Sequence, residues 1–215
     1  MRKSRMITGG VAALSAVAAL GLGVAAQGAQ APDSRADADV SGRLLPLNSS
    51  GASGKASVSF TSRRAGVVHV KADGLAPGLP HAQHIHFGRT ARNECPTAFD
   101  AGHDHQLTTT DGADAYGPVR TSLTTSGDTS PDSVLAVDRY PVAPEGRVRY
   151  ERKIRFSSKA LASAIRDGKG VVVIHGVDYN GNGKYDFESA GASELDSNLP
   201  AEATDPAVCG VLRMN

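Results

Sequence analysis

The chain has 215 residues, a formal net charge of +1 at pH 7, and a composition that is 40% hydrophobic but only 5% aromatic, with no Trp. A charge balance this close to neutral excludes a dedicated nucleic-acid binder, which needs a basic face to meet phosphates. So few aromatics leave no evident stacking platform for bases or sugars, and the length suits one domain with a substantial core.

Taken in chain order, Arg2, Lys3 and Arg5 precede an apolar stretch of small residues over 11–26, and small residues offer cleavage after Ala26 or Gly28. Residues 1–31 are read as a removable export signal. The run is short for a membrane span and no stop-transfer charges follow it; the alternative is an uncleaved anchor. No Cys follows the stretch to carry a lipid. The mature protein is expected to be secreted or held at the cell envelope, without a membrane span. Residues 32–45, polar with Asp33, Arg35, Asp37 and Asp39, are read as a linker, and 46–215 as a single β domain. Export permits a disulfide between the only two cysteines, Cys95 and Cys209, in preference to two buried thiols or a metal role.

From there the pattern is β. Ala56, Val58 and Phe60 alternate with Ser57, Ser59 and Thr61, and Val68, Val70 and Ala72 alternate with Val67, His69 and Lys71. A polar turn at 63–66 joins the two runs as a hairpin. Gly74-Leu-Ala-Pro-Gly78 is turn chemistry leading into His81-Ala-Gln-His84-Ile-His86. Further strands are expected at 119–124, 133–138 and 147–156. In the last of these Val148, Tyr150, Ile154 and Phe156 share a face that Arg152 interrupts. Ser157 or Ser158 caps a short helix with Leu161 and Ile165 on one side and Gly168 as its stop. The run 171–174 is apolar on both faces and is expected to be a central strand ending at His175. Long loops fall at 87–118, which carries Cys95, and at 176–207, which ends just before Cys209. Many short strands with Gly- and Pro-rich turns imply an all-β antiparallel sandwich or barrel with long loops and one short helix.

On a strand, His84 and His86 point to one face and Ile85 to the other, so two imidazoles sit together as half of a metal site. His81 has the opposite parity. His175, at the end of an apolar strand, is placed to close the site from a neighbour. His69, on the face shared with Lys71, is expected to face solvent.

Gly74-Leu-x-Pro-Gly, His81-x-x-His84-x-His86-Phe-Gly, Cys95, Val-Val-x-His175 and Cys209-Gly-Val-Leu, in that order, resemble the copper/zinc superoxide dismutases. The resemblance runs in patches from about residue 42 to 213. The chain is also similar to chordin-type domains of exported bacterial proteins around Ala-x-His-Ile-His and the later Val-x-His strand. What the first resemblance implies is a Greek-key β sandwich or barrel, a Cys95–Cys209 disulfide, and copper held by His84, His86 and His175. It implies a hydrogen-bonding role for His81 and a further ligand from His103 or His105. It also implies dismutation of superoxide, a small anion, by a copper ion cycling between two oxidation states. Two departures stand out. No His lies between His105 and His175, so the usual zinc site is not supported, and Pro206 stands where the family has an anion-steering Arg. The expectation is a copper-only site. The alternative is a non-catalytic exported chordin-like domain with a structural or binding role.

Asp178-Tyr-Asn180-Gly-Asn182-Gly183-Lys-Tyr-Asp186 matches the first part of a calcium loop, with oxygen side chains at positions 1, 3, 5 and 9 and Gly at position 6. Ser189 stands where a bidentate Glu belongs, so the readings are a truncated calcium site, stabilising an envelope protein, or an ion-free Asn-Gly turn. Arg147, Arg149, Lys153 and Arg155 alternate along one strand and are expected to form a solvated face rather than a steering field. No Gly-x-Ser-x-Gly elbow supports a hydrolase.

Overall fold

The computed structural model describes residues 39–102 and 105–215. The expected signal, the first half of the expected linker and His103 lie outside the described residues. Nine strands form one antiparallel, curled sheet: β1 Val40–Pro46, β2 Ser53–Ser62, β3 Ala65–Asp73, β4 Gln83–His86, β5 Val119–Ser122, β6 Val148–Arg155, β7 Val171–His175, β8 Pro206–Val211 and β9 Arg213–Met214. The order is β5-β4-β7-β8-β1-β2-β3-β6, with β9 on β1. Hairpin-connected neighbours are thus interrupted where β3 leads to β4, β5 to β6 and β6 to β7, in the Greek-key manner.

The two ends of this order, β5 and β6, are joined by side chains. Arg152 Nη1 donates to the carbonyl and hydroxyl of Thr124 at 2.8 and 2.7 Å, and the Tyr150 hydroxyl donates to the same carbonyl at 3.2 Å. The Arg that interrupts the apolar face of β6 therefore closes the seam beside it. The main core, with Val58, Val68, Val70, Ile85, Ile154, Phe156, Val172 and Ile174, fills the inside of the curl. A second, smaller cluster of Tyr116, Val171, Val173 and Cys209 covers the other face of β7. This explains why that strand is apolar on both faces.

The helix Lys159–Arg166 starts as its sequence dictates. Ser158 Oγ accepts the Leu161 N–H at 3.0 Å, Leu161 and Ile165 are buried, and the chain leaves through Gly168 at φ +78°. Four-residue helical turns at Ala113–Tyr116 and Ala201–Thr204 lie within the two long loops.

Two expectations need correcting. The strand expected at 133–138 is instead two short 3-10 turns, Pro131–Ser133 and Val137–Arg139. Asp128 Oδ2 accepts the Ser130 N–H and the hydroxyls of Ser130 and Ser133, and Pro131 sets φ, so local bonds outcompete a ladder. The stretch 32–45 is not wholly linker: β1 begins at Val40, and Val40 and Leu44 are buried in the core. Its polar residues hide a period-two pair.

Cys95 and Cys209 are disulfide-bonded, with Cα atoms 5.7 Å apart and 114 residues between them in sequence. This staples the loop 87–118 to β8. Closing a loop of that length stabilises the fold by about 4–5 kcal/mol in the chain-entropy account. A Cys95→Ala/Cys209→Ala variant is expected to melt roughly 8–20 °C lower in thermal unfolding. A loss under about 1 kcal/mol would mean that the loop's other bonds suffice to hold it.

Candidate metal centre

β4 is hydrogen-bonded on both sides, to β5 and β7, which fixes its side-chain directions. His84 lies opposite Val173 and His86 opposite Val171, so His175, two residues beyond Val173, shares their face. That face is the outer side of the curl, above the smaller cluster and under the long loops. Register shifts fall between Ile85 and His86 on the β5 side and between Ile174 and His175 on the β8 side. Bulges re-aim side chains, and both occur at site histidines. The three rings are nearly buried, and their centroids are 5.2 to 6.2 Å apart.

Each ring spends one nitrogen on an oxygen partner. His86 Nδ1 lies 2.8 Å from the Gly117 carbonyl and His175 Nδ1 lies 2.6 Å from the Thr204 carbonyl. Carbonyls only accept, so both Nδ1 atoms carry hydrogen and both Nε2 atoms carry a lone pair. His84 is turned the other way: its Nε2 is 2.8 Å from the Tyr140 hydroxyl, leaving Nδ1. His84 Nδ1, His86 Nε2 and His175 Nε2 are all buried and without a hydrogen-bond partner. One nitrogen from each of the three rings can be chosen so that all lie within 4.8 Å of one another, a cluster that could hold a metal ion. A single ion bound by three imidazoles at ~2.0–2.1 Å holds the nitrogens about 3.3–4.1 Å apart, so closure needs ring shifts on the order of an ångström.

Burial holds these rings neutral, as ligands must be. Desolvation is the largest cause for all three, and the neighbouring rings add to it for His84 and His86. His84 is held well below the usual histidine range, His86 is lowered to about 3 and His175 to about 4.

Two glycines are required by this geometry. Gly117, at φ +79°, turns its carbonyl onto His86. Gly176, at φ +106°, follows His175, and a Cβ there would overlap the Tyr185 hydroxyl and come within 2.9 Å of His81 Nδ1. Gly176→Ala is expected to cost about 2–4 kcal/mol in urea unfolding. Gly181→Ala, also at positive φ (+70°) but with open space around it, should cost only about 1 kcal/mol. Equal losses would mean that backbone strain alone matters.

A cavity of about 30 Å³ lies over the cluster, large enough for a water-sized ligand. Besides the three histidines it is lined mainly by apolar side chains, among them Val119, Val134, Leu135, Val137 and Leu195. Among the described residues, no charged side chain lines it. The stretch 133–138, expected as a strand, thus supplies part of the mouth.

The remaining candidates fall elsewhere. His105 is exposed, at φ +62°, and lines a separate cavity with Asn48 and Tyr179. It is not brought to the cluster, because Gln106 is tied to Asp205 (2.6 Å) and Leu107 to Asn48 (2.9 Å), which turns the preceding residue outward. His81 takes the hydrogen-bonding role, with ring nitrogens 2.8 Å from the His175 carbonyl and 3.0 Å from that of Ala76. His69 is half-buried, 3.4 Å from Glu151. In the calcium-like loop, Asp178 and Asn180 accept the Asn182 N–H at 3.2 and 3.0 Å, Asp178 also accepts the Gly183 N–H, and Asn182 donates to Asp186 at 2.7 Å. These are local bonds from the loop's oxygen side chains to its own backbone and side chains, compatible with either reading of the loop. Arg147, Arg149, Lys153 and Arg155 are exposed, with Arg149 2.6 Å from Asp73 and Arg147 3.2 Å from Glu145, as expected for a solvated face.

Tyr140, Gly117 and Thr204, which orient the rings, carry no local sequence signal; they reach the site only through the fold. Fold and site together define an antiparallel β-barrel-like protein carrying a buried three-histidine cluster able to hold a metal ion. No known protein family and no curated protein matches the chain. Among the described residues, no helix is long and apolar enough to cross a membrane.

Proposed function

We propose that this is an exported copper-binding protein holding one ion through Nδ1 of His84 and Nε2 of His86 and His175. The observation that carries this is a set of three buried rings, each with one unpartnered nitrogen and each able to bring one ring nitrogen within 4.8 Å of the others. Histidines kept only for packing would be expected to pair both ring nitrogens, since an orphaned buried polar atom costs about 1–3 kcal/mol. This favours metal binding over the non-catalytic chordin-like reading. Imidazole suits zinc, nickel and copper, and copper stands highest in the affinity order for such donors. The copper/zinc superoxide dismutase-like motifs point the same way, and the n-region, apolar stretch and disulfide support export.

Copper supplies one-electron chemistry between Cu(II) and Cu(I), the chemistry superoxide dismutation requires. The chain's residues orient the rings, keep them unprotonated and surround the cluster with apolar side chains that limit water. Among the described residues the cavity lining carries no charge to steer an anion, and Pro206 occupies the position of the family's Arg. Superoxide dismutation is therefore the activity we assign, and a slow one with a flat dependence on ionic strength.

Copper titration of the purified chain with metal analysis tests the site, with one copper per chain expected and none overturning it. A superoxide assay at low and physiological salt tests the activity. No dismutation above that of free copper would reduce the reading to copper binding, and a rate that rises steeply at low salt would reveal a cationic approach the lining lacks.

A further inference from the structure

We infer that Tyr140 is a positioning residue that decides which nitrogen of His84 is offered to the metal, an inference resting on the copper reading only for its affinity arm. His86 and His175 donate Nδ1–H to carbonyls and present Nε2, whereas His84 presents Nδ1. The difference originates at Tyr140. Its hydroxyl is nearly buried, 2.8 Å from the Ser133 carbonyl, with the Val134 carbonyl at 3.3 Å. A phenol has one hydrogen, and carbonyls cannot supply another, so that hydrogen is committed to the 133–134 backbone. Toward His84, 2.8 Å away, the oxygen can only accept. His84 must therefore carry its hydrogen on Nε2, which bares Nδ1 inside the cluster. Burial pushes the phenol up to about 12, so it keeps its hydrogen across the working range of pH.

The two rings meet edge to face, with centroids 5.4 Å apart, so the phenol also blocks rotation of the imidazole. With the tautomer reversed, Nδ1 would carry the hydrogen and the cluster would keep two free donors of three. Ser133 and Val134 belong to the segment that forms the cavity mouth, so one hydroxyl fixes both the ring and the rim above it.

The test uses the full chain with 15N-labelled histidine, first without metal. In the wild type, His84 should show a protonated, hydrogen-bonded Nε2 and a bare Nδ1 in a single form. In Tyr140→Phe that single form should be lost, giving mixed tautomers or a mobile ring. Copper affinity should fall about 10- to 100-fold, as for other groups that orient a metal-ligating imidazole. Tyr150→Phe removes another largely buried hydroxyl, one that bonds the Thr124 carbonyl rather than a ligand ring, and should leave copper affinity within about threefold. The inference is overturned if wild-type His84 carries its hydrogen on Nδ1, or if Tyr140→Phe keeps one tautomer and wild-type affinity. A wild type that binds no copper, with the nitrogen signals behaving as described, would sink the copper reading and leave the positioning role standing.

Discussion

Copper at about a thousandfold above its dissociation constant is expected to raise the melting temperature of the wild-type protein by roughly 8–16 °C, and to leave His86→Ala and His175→Ala unmoved. A ligand that binds only the folded state stabilises by RT ln(1 + [L]/Kd), about 4 kcal/mol at that excess. A chain of this size shifts by about 2–4 °C per kcal/mol. The expected shift rests on the proposed site, in which three buried rings each offer one unpartnered nitrogen. Removing one ring leaves two, and the loss in affinity should exceed the 10- to 100-fold that follows from losing a mere orienting partner. Without metal, His175→Ala also removes one of the two donors to the Thr204 carbonyl, the other being the Thr109 hydroxyl, at a cost of about 0.5–1.5 kcal/mol. The comparison that counts is therefore the copper-induced shift within each variant. A full shift in either variant would move the ion away from these histidines.

Acid is expected to unfold the metal-free protein well before its surface carboxylates titrate. The unfolded chain protonates His84, His86 and His175 near pH 6.5. The folded protein resists, with His86 lowered to about 3, His175 to about 4 and His84 well below its ordinary value, all chiefly because burial penalises the charge. A depressed folded pKa gives stability that is complete above the unfolded value and is lost as pH falls toward the folded values. His81 acts in the same direction. Asp205 acts in the opposite one: burial raises it to about 6, so its contribution is present at low pH and lost as pH rises through 6. Between pH 6 and 4.5 the unfolded chain therefore binds about two more protons than the folded one, and at ~1.4 kcal/mol per proton per unit the loss is roughly 3–5 kcal/mol. Urea titrations at pH 7, 6, 5 and 4.5 with a chelator present would measure it. His86→Gln should flatten the slope by about one proton. A profile already flat in the wild type would mean the rings protonate freely, contradicting their burial.

Much of the fold was legible in order of locality. The β2–β3 hairpin follows from strict alternation over 56–72, the helix from Ser158 and Gly168, and the central place of β7 from its unbroken apolar run. The segment 131–139 was not legible, because Asp128 and Pro131 build a turned structure out of residues whose pattern mimics a strand. The start of β1 was hidden because Val40 and Leu44 carry all of its core contact among polar neighbours.

The site divides the same way. The sequence by itself determined that His84 and His86 share a face, since side-chain alternation is a property of two adjacent peptide units. It also supplied His175 at the end of an apolar run and two cysteines able to bond. Only the tertiary structure decided which nitrogens are free, because that depends on partners distant in the chain: Tyr140, 56 residues from His84; Gly117, 31 from His86; and Thr204, 29 from His175. It also decided that His105 faces away and that the mouth is apolar. Strand direction is written locally in the backbone, but a hydrogen bond's acceptor and a cavity's lining exist only once remote segments are packed together.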